Sequence, residues 1–143
     1  MEALVEWNRE LDFSGHGDGD LKVALQGGGP EPEERTGFSP MQLMLLGMIG
    51  CTGMDVISIL WKMRQEVEVF EVQAQAEQDE THPRVFSRIK LEYRFKGKEL
   101  DPTMVEKAID LSLTRYCPGT AMLRQTAEIE HSYTIDESFD DSA

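Results

Sequence analysis

The run from Ser39 to Lys62 constrains the fold of this chain more than any other stretch, because its start signal and apolar content point to one long helix. The Ser39 hydroxyl can cap the first turn, Pro40 has the preset φ of a first helical residue, and Gln42 completes a capping box. From Met41 to Met63 apolar side chains surround the axis instead of forming one stripe, which predicts burial on most sides. Gly47, Gly50 and Gly53 recur every three residues and let another backbone approach. A membrane span is the alternative, but Gln42, Thr52, Asp55 and Ser58 interrupt the run and Lys62 follows it, so a core helix is expected. One of only two cysteines, Cys51, lies inside this helix.

The flanking segments read as strands and a second helix. Residues 2–13 and 20–26 have strand composition, and the glycines of 14–19 supply a turn, so a hairpin is expected there. A connection rich in breakers and acids runs to Gly37. Residues 66–77 alternate with a parity change that predicts a bulge near Val69-Phe70. In the partner strand Val85, Ser87, Ile89, Leu91, Tyr93 and Phe95 take one face and Arg88 to Lys96 the other. Asp101-Pro102 caps a second helix that runs to Tyr116 and stops at Pro118, with a short helical piece over 120–125. A last strand alternates Ala127, Ile129, His131, Tyr133 and Ile135 inward. The order is β-β-α-β-β-α-β, an α+β domain over 1–135 with two helices covering an antiparallel sheet. Residues 136–143 form an acidic, flexible tail in this reading.

Charge excludes some partners. A net −13, from 14 basic and 27 acidic residues, repels phosphate polymers and anionic surfaces, so neither nucleic acid nor membrane is expected as a partner. No secretory signal pattern opens the chain, which makes the cytoplasm the expected compartment. There a cysteine pair is seldom a permanent staple, and a disulfide that forms is more often catalytic or redox-sensing. His16, His82 and His131 share no ligand spacing with Cys51 or Cys117, so no metal and no cofactor is expected.

A cysteine reacts as the thiolate, and Cys51 in mid-helix gains nothing from a helix N-terminus, so an arginine from elsewhere must lower its pKa. Such a thiolate can attack a peroxide O–O bond and become a sulfenic acid, which a second thiol condenses with. Cys117, in Tyr116-Cys117-Pro118-Gly119, is the candidate second thiol. Asp55, one turn after Cys51, can line the same pocket, where its charge raises a thiol pKa; capping or pairing with a base is its expected role. The bland alternative is inert burial, since free cysteine packs as a small hydrophobe.

The motifs Ser39-Pro40 through Leu43 to Gly50-Cys51-Thr52-Gly53-Met54-Asp55-Val56, and Ser112-Leu113-Thr114-Arg115-Tyr116-Cys117-Pro118, resemble those of the OsmC/Ohr superfamily, in its OsmC-like branch. The resemblance implies an intertwined homodimer that reduces organic hydroperoxides at the subunit interface and is regenerated by a dithiol reductant. In that reading Cys51 is the peroxidatic cysteine, Cys117 the resolving one, and Arg9 the activating cation, with Arg35 as a second candidate. The peroxidases of the superfamily carry a glutamate ten residues before the first cysteine, where this chain has Met41. That departure keeps a second function open: a non-catalytic dimeric protein that binds an apolar small molecule at the subunit interface.

Overall fold

A computed structural model describes residues 1–136; the remainder of the expected acidic tail lies outside the described residues. The chain divides into two compact units, Met1–Leu46 and the part from Gly47 onward.

The first unit is an antiparallel meander of β1 (Leu4–Arg9), β2 (Asp12–His16) and β3 (Lys22–Gln26). The stretch expected as one strand over 2–13 is therefore broken in two. Glu10 turns the chain with φ at 52°, and the Trp7 indole N–H closes the turn on the Glu10 carbonyl at 2.8 Å, so Arg9 faces Asp12 across the bend. Gly15, expected in a turn, lies in β2 instead, where an added Cβ would stand 2.9 Å from Leu25 Cδ1. The second turn moves to 17–21, with Gly19 at φ 74°. Phe38 then rejoins β3 through a backbone bridge to Leu25. The capping expected for the long helix α1 (Pro40–Lys62) is present: the Gln42 N–H donates to Ser39 Oγ at 3.1 Å.

In the second unit β4 (Glu66–Gln78) and β5 (Phe86–Lys98) pair antiparallel, and β6 (Glu128–Ile135) adds to β5. β6 runs parallel to β5, a departure from the expected antiparallel sheet. The intervening helical connection is long enough to carry the chain back to the end where β5 began, which a hairpin cannot do. The β4 bulge falls at Glu68, between the pairs Val67–Gly97 and Val69–Lys96, slightly before its expected place. A second irregularity leaves Ser87 without an opposite residue, so Phe86 rather than Ser87 is buried. Beyond it the alternation holds, with Ile89, Leu91, Tyr93 and Phe95 fully buried and the Phe70 ring stacked on Phe95 at 4.7 Å. His131 shares the face of its register partner Leu91, as expected, but is exposed, β6 being an edge strand of this sheet.

Met48, Thr52, Val56 and Leu60 of α1 are buried, a stripe with a spacing of four. Burial on most sides is not what this single chain shows, since Met54 and Trp61 are exposed. One sheet can cover only one side of a helix. Of the three glycines, Gly53 alone meets the sheet, with its Cβ position 3.5 Å from Val72 Cγ2, while those of Gly47 and Gly50 have no neighbour within 4 Å. The second helix begins as expected: Asp101 caps α2 (Pro102–Leu111) by accepting from the Thr103 N–H at 2.9 Å. It continues as a π-helical segment over Ser112–Tyr116 and, after Cys117, as α3 (Pro118–Leu123). Pro118 thus opens a helix as well as closing one, since a proline is tolerated in a first turn whose N–H needs no partner.

Candidate functional site

Cys51 and Cys117, distant in sequence, come together inside the second unit. Cys51 is half-buried on α1, and both the Cys117 side chain and the Gly119 N–H act on its sulfur as hydrogen-bond partners. Burial is the main cause that pushes the Cys51 thiol above its ordinary pKa; Cys117 and the Asp55 charge push the same way, and the Gly119 N–H opposes them.

The local sequence explains how Cys117 gets there. The π-helical segment puts one more residue into the last turn of the second helix, closing on a bond from the Cys117 N–H to the Ser112 carbonyl at 2.8 Å. Cys117 then leaves the helix with extended backbone and caps α3, its Sγ accepting from the Thr120 N–H at 3.3 Å. The same sulfur lies 3.9 Å from the Met48 carbonyl on α1, to which its S–H donates. Gly119 permits this docking, for an added Cβ would stand only 3.0 Å from Met48 Cα. Cys117 is consequently 4% exposed, and both thiols are free.

Behind the thiols runs a buried polar chain. Thr52 Oγ1 lies 2.7 Å from the Tyr93 hydroxyl and 2.8 Å from Ser112 Oγ, and Ser112 Oγ donates to Asp55 Oδ2 at 3.0 Å. Because Ser112 has one proton and gives it to Asp55, it accepts from Thr52; Thr52 in turn accepts from Tyr93. Every donor therefore points toward the Asp55 carboxylate. Burial drives the Tyr93 pKa up to about 12, against a smaller lowering by Thr52, so the phenol is a neutral donor near neutrality. The Thr120 hydroxyl is buried with no hydrogen-bond partner among the described groups.

Both expected cations belong to the first unit. Arg9 is exposed at the end of β1, in the first unit. Arg35, also in that unit, donates from Nε to the Pro30 carbonyl at 3.3 Å beside the short 3-10 turn Pro32–Glu34. Met41 occupies the first turn of α1.

A family model described as OsmC-like protein matches residues 27–132, which includes both cysteine motifs. The chain belongs to the OsmC-like family. Among its relatives, Protein YhfA of Escherichia coli K12 is 35% identical over 135 residues, covering 94% of this chain and 98% of that one. A hypothetical protein from Aquifex aeolicus shares the structure with a TM-score of 0.83 at 27% identity, over 94% of this chain and 95% of the other. The organic hydroperoxide resistance protein OhrB of Bacillus subtilis shares the fold alone, with a TM-score of 0.64 at 19% identity over 93% and 96% of the two chains.

In this OsmC-like protein the parts that sequence reasoning missed are Thr52, Tyr93 and Ser112. Tyr93 sits on the inward face that the strand alternation predicts, whereas Thr52, read as a polar interruption of the apolar run, and Ser112 are buried as well. The Tyr93 hydroxyl on an inward face was the available signal, because a buried hydroxyl needs a partner.

Proposed function

We propose that this OsmC-like protein is a thiol-dependent peroxidase acting on organic hydroperoxides. The observation that carries the reading is the meeting of the partly exposed Cys51 with the buried Cys117. In the reaction Cys51 attacks the terminal oxygen of the hydroperoxide, the O–O bond breaks, and the products are the alcohol and a Cys51 sulfenic acid. The Cys117 thiol then displaces water to form the Cys51–Cys117 disulfide, and an external dithiol returns both thiols. A thiol raised by burial is a poor nucleophile precursor, so the reading requires a cation, and Arg9 is its assigned source. It also takes the family's homodimer as the working form in the reducing cytoplasm. Support for the dimer comes from the large apolar side chains left exposed on α1, Met44, Met54 and Trp61 among them.

Mass spectrometry of the reduced protein after one equivalent of tert-butyl hydroperoxide tests this. The expected product is an intramolecular Cys51–Cys117 link, two hydrogens lighter than the reduced chain. Recovery of both thiols unmodified, with the hydroperoxide unconsumed, contradicts the reading. A second reading, a non-catalytic binder of apolar molecules, is favoured by an open apolar groove of about 420 Å³ in the first unit, lined by Val5, Leu11, Phe13 and Leu25. It leaves both cysteines reduced in that experiment.

A further inference from the structure

Asp55 is a carboxylate with no basic partner among the described residues, and it accepts a hydrogen bond from Ser112 while its charge acts on the Cys51 thiol. It stands four residues after Cys51 on α1, and residues so spaced lie about 5–6 Å apart at Cβ, a reach that a carboxylate and a thiol bridge directly or through one water. Ser112 is fully buried, and its hydroxyl is aimed at Asp55 Oδ2 by Thr52, which Tyr93 aims in turn. Three hydroxyls from three elements, α1, β5 and the π-helical segment, thus converge on fixing one carboxylate next to the half-exposed sulfur.

We propose that Asp55 is the proton carrier of the Cys51 reaction and that Ser112 is its positioning residue. The step rests on the peroxidase reading above. The Cys51 S–H proton passes to an Asp55 carboxylate oxygen, leaving the thiolate that the cation of the peroxidase reading stabilises, and the sulfur then bonds to the terminal oxygen of the hydroperoxide. The O–O electron pair leaves with the alkoxide, which takes the proton back from Asp55 and departs as the alcohol. The sum is Cys51–SH plus ROOH giving Cys51–SOH plus ROH, with sulfur oxidised by two electrons and the peroxide reduced by two. Asp55 ends the step as the carboxylate it began as, ready for the next turnover.

The groups that bear on the Cys51 sulfur are Asp55 from its own helix, and Cys117 and the Gly119 N–H from the segment packed against it. Removing the Asp55 charge therefore has two effects of opposite sign. A negative neighbour disfavours the thiolate, so Asp55→Asn makes Cys51 easier to ionise and its alkylation at neutral pH about twofold faster. Loss of a proton carrier slows peroxide reduction, by about 100-fold for a typical acid–base group.

The test uses the full chain, reduced beforehand, with iodoacetamide alkylation of Cys51 and single-turnover reduction of tert-butyl hydroperoxide measured side by side. Asp55→Asn is expected to alkylate faster and reduce peroxide more slowly. Ser112→Ala, which keeps the charge, is expected to alkylate within about twofold of wild type and to lose about tenfold in peroxide reduction. Peroxide reduction by Asp55→Asn at or above the wild-type rate overturns the proton carrier while leaving the peroxidase reading intact. A fall in both rates for Asp55→Asn overturns it too, by assigning Asp55 to structure. Absence of any peroxide reduction by the wild type overturns the peroxidase reading and this step together.

Discussion

Gly119 presses against Met48: a Cβ at Gly119 would come within 3.0 Å of Met48 Cα, closer than backbone atoms of a helix can readily yield. This contact seats the start of α3 on α1 and carries Cys117 to the turn that bears Cys51. Gly119→Ala is expected to push the segment outward, destabilising the protein by about 1–3 kcal/mol, as overpacking does. It is also expected to slow formation of the Cys51–Cys117 disulfide after oxidation. Denaturant unfolding and a timed thiol count check the two effects separately.

Thr52 stands between two buried hydroxyls, so its removal strands both. Thr52→Val keeps the shape and is expected to cost about 1–3 kcal/mol, because the Tyr93 hydroxyl loses its acceptor and Ser112 its donor. Tyr93→Phe in the same background removes one stranded group and recovers part of that loss. A double-mutant cycle in urea measures the coupling, expected to be well above zero.

Alkaline stability carries the signature of Tyr93. Its folded pKa is about 12, above the ordinary value of 10, so the folded state keeps a proton that the unfolded chain has given up in between. The sign follows from proton linkage: this contribution is complete below pH 10 and is lost as pH rises through about 12. The loss of melting temperature between these two pH values is expected to be smaller in Tyr93→Phe than in wild type. Comparing the two proteins cancels the lysines and Tyr133, whose hydroxyl, bound to Glu106, is also shifted upward.

Arg9 is expected to set the working pKa of Cys51. Burial, Cys117 and Asp55 all raise it within the second unit, so an activated wild-type thiol needs an added positive charge. Arg9→Met is expected to move the pH midpoint of Cys51 alkylation upward and to slow alkylation at pH 7 by about tenfold, one pKa unit being a factor of ten. An unchanged midpoint removes Arg9 from the mechanism.

Much of this architecture was legible in the chain. Ser39-Pro40 and Asp101-Pro102 marked helix starts because a capping oxygen and a preset φ act locally. Ile89, Leu91, Tyr93 and Phe95 marked a buried strand face because alternation is the strand's own period. What depended on distant partners was harder to read. The Glu10 turn is closed by the Trp7 indole, and the parallel course of β6 follows from its long connection. His131 has inward parity yet lies at a sheet edge. Cys51 and Cys117 were identifiable as a pair, but the extra residue at Ser112–Tyr116 that turns Cys117 onto α1 has no simple local code. The hydroxyl chain was hidden for the same reason, since Thr52, Tyr93 and Ser112 meet only after three elements pack.

Steady-state consumption of tert-butyl hydroperoxide in the presence of a dithiol, compared between wild type and Cys51→Ser, tests the central claim most directly. Sustained turnover by the wild type and background consumption by Cys51→Ser is the predicted result. Equal consumption by the two proteins contradicts the account.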